Sequence, residues 1–212
     1  MKNLLNTITL GDSLQIIKSL PDKCFDLLLT DPPYGHELES SPENIERTGG
    51  TWAAKYGNKI KNWDKAPTPA FWAELFRVSK NQIIWGGNYF SLPPTRCFNV
   101  WQKLTIGESF TMAMCEYAWT SFNTNAKIWK FAPQDPNRFH PTQKPVALFM
   151  RQLEEYARPG MLVFDPFSGS GTTAIACHRL GLDFVAIERD PDYHAASLAR
   201  LEAERSQLLL PL

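Results

Sequence analysis

The stretch Met161-Leu162-Val163-Phe164-Asp165-Pro166-Phe167-Ser168-Gly169-Ser170-Gly171-Thr172-Thr173-Ala174 decides the fold. An apolar run ends on an acid and a proline. A glycine turn follows, and a helical pattern with Ala174, Ile175 and Leu180 begins, closed by Gly181. Asp183 to Ile187 is a second buried run. Strand, turn, helix and strand in that order build a parallel sheet. Gly169-Ser170-Gly171-Thr172-Thr173-Ala174 fits G-x-G-x-x-G/A, in which glycine lets the backbone turn sharply and approach a ligand closely. Glu188 ends the second strand, where a carboxylate can accept two hydrogen bonds from ribose hydroxyls, each worth roughly 1.5–3 kcal/mol. A plain strand-to-helix turn and a dinucleotide site are the competing readings of this motif.

The same alternation extends toward the N-terminus. Leu14, Ile17 and Leu20 share a helical face that Pro21 stops. Phe25 to Thr30 is a continuous apolar run of the kind buried in parallel sheets, and Pro32-Pro33 ends it because neither residue can donate to a ladder. Thr68 and Pro69 open a helix with Trp72, Leu75, Phe76 and Ser79 on one face. Asn81 to Trp85 reads as a strand ending at Gly86-Gly87. Cys97 to Gln102, Cys115 to Thr120 and Lys127 to Phe131 read as three more. A helix from about Pro145 carries Val146, Phe149, Met150, Leu153 and Tyr156, and Asp190-Pro191 starts a last one with Leu198 and Leu201. The pattern predicts one α/β domain over 1–212 with a doubly wound, mostly parallel sheet. Residues 35–66 lack periodicity and read as a long, mobile functional loop.

Asp31-Pro32-Pro33-Tyr34 stands directly after the Phe25 to Thr30 strand. The amino group of adenine or cytosine is a poor nucleophile, because its lone pair is delocalised into the ring. Two acceptors around its N–H bonds favour a pyramidal nitrogen and free that pair. Asp31 supplies a carboxylate, and Pro32 supplies a carbonyl on a backbone with φ near about −65°. Tyr34 offers a face for a planar base, worth about 1–3 kcal/mol in stacking. A base must leave the duplex to reach such a pocket, at a cost of a few kcal/mol. The plainer reading is a strand cap, since Asp and Pro are common turn residues.

Bulk composition sets weaker bounds. The 212 residues carry 22 Lys and Arg against 22 Asp and Glu, so no basic excess marks a nucleic-acid binder. The distribution is uneven. Glu37, Glu39, Glu43 and Glu46 occupy 36–46, whereas Arg47, Lys55, Lys59, Lys61 and Lys65 in 47–65 face only Asp64. Lys127, Lys130, Arg138 and Lys144 form a second basic stretch. Local patches of this kind can bind phosphates, and a solvated mixed surface is the alternative. Trp52, Tyr56 and Trp63 interleave with the lysines, which suits stacking or simply tacks the loop down. The four cysteines form no C-x-x-C, so zinc and disulfides are not expected. No apolar run is long enough to span a bilayer and no signal-peptide pattern opens the chain, which predicts a cytoplasmic protein.

The two motifs resemble the amino methyltransferases that modify adenine N6 or cytosine N4 in DNA. The acidic loop precedes the glycine turn, which is similar to the circularly permuted beta group of that family. Asn81-Gln82-Ile83-Ile84-Trp85-Gly86-Gly87-Asn88-Tyr89-Phe90 is similar to its small phage-type and orphan members, and His140-Pro141-Thr142-Gln143-Lys144-Pro145 resembles the family element before the cofactor turn. The resemblance covers nearly the whole chain. It implies a Rossmann-like methyltransferase fold, S-adenosyl-L-methionine as cofactor, no metal, and DNA as partner, and it allows a homodimer. It implies catalytic roles for Asp31, Pro32, Pro33 and Tyr34. Cofactor contacts are implied for Asp12, Asp31, His140, Thr142, Lys144, Asp165, Pro166, Phe167, Ser168, Gly169, Gly171, Thr172, Glu188 and Arg189. Arg47, Lys55, Lys59, Lys61, Lys65 and Arg138 are the expected DNA contacts. An aspartate opening the loop, rather than serine, favours adenine. Longer relatives carry a distinct target-recognition region, for which only 35–66 and roughly 103–139 are available here.

Several residues admit two readings. His140 is a general base or a packing residue of the cofactor loop. Lys144 pairs with the cofactor carboxylate or is a surface lysine at a helix start. His36, His178 and His194 have no metal-ligand spacing. Action on cytosine N4 or on RNA, and a binding module without catalysis, are the alternative functions. A dinucleotide oxidoreductase gives no reason for Asp-Pro-Pro-Tyr.

Overall fold

The computed structural model describes residues 2–35, 65–109, 113–133, 138–140 and 142–207. The elements run β1 (Ile8–Leu10), α1 (Ser13–Lys18), β2 (Phe25–Thr30), α2 (Pro69–Val78), β3 (Ser79–Trp85), β4 (Phe98–Lys103), β5 (Cys115–Thr120), β6 (Lys127–Phe131), α3 (Val146–Tyr156), β7 (Leu162–Asp165), α4 (Thr172–Arg179), β8 (Asp183–Glu188) and α5 (Pro191–Ser206). Short 3-10 turns occupy Lys2–Leu4 and Gly87–Tyr89.

Eight strands form one sheet in the order β1-β8-β7-β2-β3-β5-β4-β6. β1, β8, β7, β2 and β3 are parallel, β5 runs antiparallel to both β3 and β4, and β6 is parallel to β4. The parallel strands therefore all end along one edge. The glycine turn leaves β7 and the acidic loop leaves β2, which are direct neighbours. This is the doubly wound, Rossmann-like sheet expected from the sequence.

Strand side chains alternate between two cores, as the pleat requires. Leu27, Leu29, Ile83, Trp85, Val163, Phe184 and Ala186 pack with Leu148, Phe149 and Leu153 of α3, Ala174 and Ile175 of α4 and Leu201 of α5. Leu28, Ile84, Phe164, Val185 and Ile187 pack on the other face with Ile17 of α1 and Phe71, Leu75 and Val78 of α2. Burial on both faces explains why 27–29, 83–85, 163–164 and 184–187 within these strands are wholly apolar.

Local signals set the helix ends. Thr68 caps α2, accepting from Phe71 N–H at 3.3 Å, with Pro69 in the first turn. Asp190 caps α5, accepting from the Asp192 and Tyr193 N–H groups. Ser79, expected on the helix face, is instead the first residue of β3, where its hydroxyl donates to Leu75 O at 2.5 Å. Among the described residues, no helix is long and apolar enough to cross a membrane.

Candidate active site

The loops after β1, β8, β7 and β2 are fastened to one another at the carboxyl edge of the sheet. Gly11 N–H donates to Glu188 O at 2.9 Å, and Ser13 Oγ donates to Pro166 O at 2.5 Å. Ser168 N–H donates to Ile187 O at 2.9 Å. Beneath them lies Asp165, only 3% exposed. Its Oδ1 accepts from Thr30 Oγ1 at 2.8 Å and Phe167 N–H at 3.1 Å, and its Oδ2 accepts from Thr173 Oγ1 at 2.5 Å. One carboxylate thus joins the last residue of β2, the glycine turn and the first turn of α4. Burial pushes its carboxyl up to about 6 against the pull of these donors.

The glycine turn has the backbone its sequence demands. Gly169 and Gly171 adopt φ of +52° and +77°. A Cβ on Gly169 would lie 3.4 Å from His140 Nε2, and one on Gly171 would press on Ile8 and Ser197. Gly169 therefore faces the His140 loop, whereas Gly171 packs against β1 and α5. Glu188, buried, accepts from Gly169 N–H at 2.7 Å and Asp190 N–H at 2.8 Å, one on each oxygen. The Arg189 N–H bears on the carboxylate as well, and its four lone-pair sites leave room for a further donor. Burial raises the Glu188 carboxyl above its ordinary value, opposed by these backbone donors. Ser168 Oγ is buried and has no partner among the described residues. An orphan hydroxyl beside a carboxylate with spare acceptors fits a hydroxyl-bearing ligand such as a nucleoside.

The acidic loop is held by charge. Tyr34 OH donates to Asp31 Oδ1 at 2.7 Å, and Lys144 Nζ donates to Asp31 Oδ2. Lys144 also contacts Glu116 Oε2 at 3.1 Å, and Glu116 Oε1 takes Lys103 Nζ at 2.7 Å. Burial raises the Asp31 carboxyl, against the pull of Lys144, and Glu116 adds to the rise. The Tyr34 ring lies 4.8 Å from that of Tyr89 and 6.2 Å from that of Phe90. Gly86, at φ +65°, makes room for it: a Cβ there would sit 2.1 Å from Tyr34 Cε1. The arrangement presents a carboxylate, a tyrosine hydroxyl and an ammonium together, one strand away from the glycine turn.

Residues 94–199 match the family model described as DNA methylase, of the N6 and N4 type. YubD of Escherichia coli strain K12, which is named a methylase, is 30% identical over 91% of this chain and 88% of its own length. The chain belongs to the N6/N4 DNA methylase family. The Type II methyltransferase M.HinfI of Haemophilus influenzae is 22% identical over 95% of this chain and 69% of its own. Two solved structures share the fold of this methylase. TTHA0409 of Thermus thermophilus, a DNA modification methylase by name and complexed with S-adenosyl-L-methionine, has a TM-score of 0.60 at 19% identity, covering 95% of each chain. The cytosine-N4-specific PvuII DNA methyltransferase has a TM-score of 0.62 at 17% identity, covering 98% of this chain and 90% of its own.

The remaining residues singled out in the sequence fall into place unevenly. Asp12 caps α1, accepting from Gln15 N–H at 3.1 Å, beside the Glu188 strand end. His140 is buried against Tyr193, with ring centroids 4.3 Å apart, and its Nδ1 accepts from Thr142 N–H at 3.3 Å. Burial, Arg138 and Lys144 push its imidazole down to about 3, which favours the packing reading over the general base. Thr172 Oγ1 donates to Lys144 O at 3.3 Å and ties α4 to that loop. The Phe167 ring leans on Phe71 at 5.2 Å. Lys144 is no surface lysine: it is buried between two carboxylates. Thr142 and Arg189 are exposed. Of the expected DNA contacts, Lys65 is exposed and Arg138 Nε braces His140 O at 3.0 Å. Arg47, Lys55, Lys59 and Lys61, with Trp52, Tyr56, Trp63 and His36, lie outside the described residues, as does nearly all of the 35–66 loop. Gly86 was read only as a strand end, and Glu116 and Lys103 were not singled out. A glutamate inside the apolar strand Cys115–Thr120, with a lysine ending the neighbouring strand, was the available signal.

Proposed function

We propose that this protein transfers a methyl group from S-adenosyl-L-methionine to the N6 amino group of adenine in DNA. The observation that carries the reading is the Thr30–Asp165 hydrogen bond, at 2.8 Å, between neighbouring strands. It holds the acidic loop and the glycine turn at adjacent strand ends, where one ligand pair can meet both. The S-adenosyl-L-methionine complex of TTHA0409, a protein of the same fold, supports the cofactor.

Glu188 would hold the ribose hydroxyls through its spare lone pairs, with Ser168 Oγ and the backbone of Gly169 beside them. When bound, S-adenosyl-L-methionine supplies a methyl group already activated by its sulfonium, so proximity and orientation carry most of the rate. Asp31 and the Pro32 carbonyl accept hydrogen bonds from the target amino group and free its lone pair. Tyr34 does two jobs: its ring offers the stacking face, and its hydroxyl aims the Asp31 carboxylate. Asp31 or solvent takes the proton that the amino group sheds.

Aspartate at position 31 supports adenine, while the fold shared with the cytosine-N4-specific PvuII enzyme makes cytosine N4 the second reading. Incubation with methyl-labelled S-adenosyl-L-methionine and genomic DNA, followed by nucleoside digestion, decides between them. Label in N6-methyladenine is expected. Label in N4-methylcytosine overturns the adenine assignment, and label only in a parallel incubation with total RNA overturns the DNA substrate.

A further inference from the structure

Behind Asp31 and Tyr34 runs a chain of charges that the methyl transfer itself does not use. Asp31, Lys144, Glu116 and Lys103 alternate in sign from the loop after β2 to the end of β4. The Lys144 and Lys103 side chains are 4% and 7% exposed. The Lys144 ammonium has three protons. Asp31 Oδ2 and Glu116 Oε2 take two, and Tyr34 OH lies 3.4 Å away for the third. The Trp85 ring, 5.4 Å distant, closes another side. One buried cation is therefore shared by two carboxylates.

We propose that Glu116 is a positioning residue for Asp31: by competing for Lys144 it sets how tightly the ammonium grips the Asp31 carboxylate, and so how readily that carboxylate turns to an incoming amino group. The proposal rests on the reading of Asp31 given above. An amino group arriving at Asp31 must displace Lys144 in part. A buried ammonium left without a partner is costly. Glu116 removes that cost, because it already holds Lys144 at 3.1 Å. Lys103 in turn keeps Glu116 ionised. Burial pushes the Glu116 carboxyl up, and Lys144 and Lys103 overcome this to bring it down to about 2. The groups that bear on Asp31 are Lys144, Glu116 and Tyr34, and Asp165 also lies within electrostatic reach.

The two neighbours of Asp31 should act on it with opposite sign. Glu116→Gln removes a repelling charge and leaves Lys144 to Asp31 alone, so Asp31 should titrate lower, by about one pH unit. Lys144→Gln removes the cation, so Asp31 should titrate higher by a similar amount. Full-length protein with carboxyl-13C aspartate reports this directly, the Asp31 signal being assigned by its loss in Asp31→Asn. Methyl transfer to DNA is measured alongside. Glu116→Gln should lower kcat on the order of tenfold without raising the KM for S-adenosyl-L-methionine, and Glu116→Asp should recover most of it. If Glu116→Gln does not fold, Glu116→Gln with Lys103→Met removes both members of the outer pair and gives the same titration test. An Asp31 midpoint unmoved by loss of the Glu116 charge, moved the same way by both variants, or moved with kcat unchanged overturns the proposal. A wild-type protein that methylates no DNA base overturns the reading of function, while the titration still decides whether Glu116 governs Asp31.

Discussion

The two halves of the site are held by different forces. The glycine-turn half is fastened by hydrogen bonds from hydroxyls and backbone: Thr30 and Thr173 on Asp165, Gly169 and Asp190 on Glu188, and Ser168 on Ile187. Each bond is short-ranged and directional, so this half is a rigid cradle. The acidic-loop half is held by Lys144 shared between Asp31 and Glu116, with Lys103 behind. Charges in such a row can exchange partners, since Glu116 still holds Lys144 when Asp31 loosens its grip. A cofactor site gains from a fixed frame. A site that must admit a base and handle a proton gains from partners that can be exchanged.

The largest effect expected from this contrast is loss of reaction with binding kept. Asp31→Ala should lower methyl transfer by about 10³-fold, roughly 4 kcal/mol in the barrier, while calorimetry shows most S-adenosyl-L-methionine affinity retained. Near-normal turnover would erase the division of labour between the halves. A cradle variant should do the reverse. Glu188→Ala strips the acceptor from the Gly169 and Asp190 N–H groups and, on the proposed reading, from the ribose, and should weaken cofactor binding by about 3 kcal/mol, on the order of a hundredfold in Kd. Unchanged affinity would mean that the cradle is held elsewhere.

A smaller effect is read by pH on the glycine-turn side. His140 is buried neutral, its imidazole lowered from 6.5 to about 3. Below pH 6.5 the unfolded chain binds a proton that the folded chain does not take until near pH 3. The His140 contribution to stability therefore falls as pH drops through this window, by roughly 2 kcal/mol at pH 5 relative to pH 7. Asp165, raised from 3.8 to about 6, works the other way over pH 6 to 4, since the folded state then holds the extra proton. His140→Asn should flatten the acid loss in urea titrations at pH 5 and pH 7, and an unaltered slope would place the acid sensitivity outside this loop.

Much of the fold was legible because local chemistry and tertiary need agree. The run Phe25 to Thr30 could only be a strand buried on both faces, and it is β2 to the residue. Thr68-Pro69 and Asp190-Pro191 carry their caps in the sequence. Gly169 and Gly171 declared a turn that only positive φ allows. β1 was not legible: Ile8–Leu10 is three residues long, too short for any periodicity, and exists by pairing with β8. The site divides in the same way. Asp31, Tyr34 and Glu188 stand at strand ends that the sequence marks. The competition for Lys144 does not show, because its partners Asp31 and Glu116 come from distant elements that only the sheet order brings together.

Gly86 and Tyr34 occupy a single parcel of space, since the aromatic edge fills the volume where a side chain on the glycine would begin. Position 86 is thus not independent of position 34. A descendant that placed even a methyl group at 86 would have to shrink or swing the ring, and would slacken the tether on Asp31 with it. Inherited changes at these two sites should therefore come in pairs, the later one repairing the crowding made by the earlier.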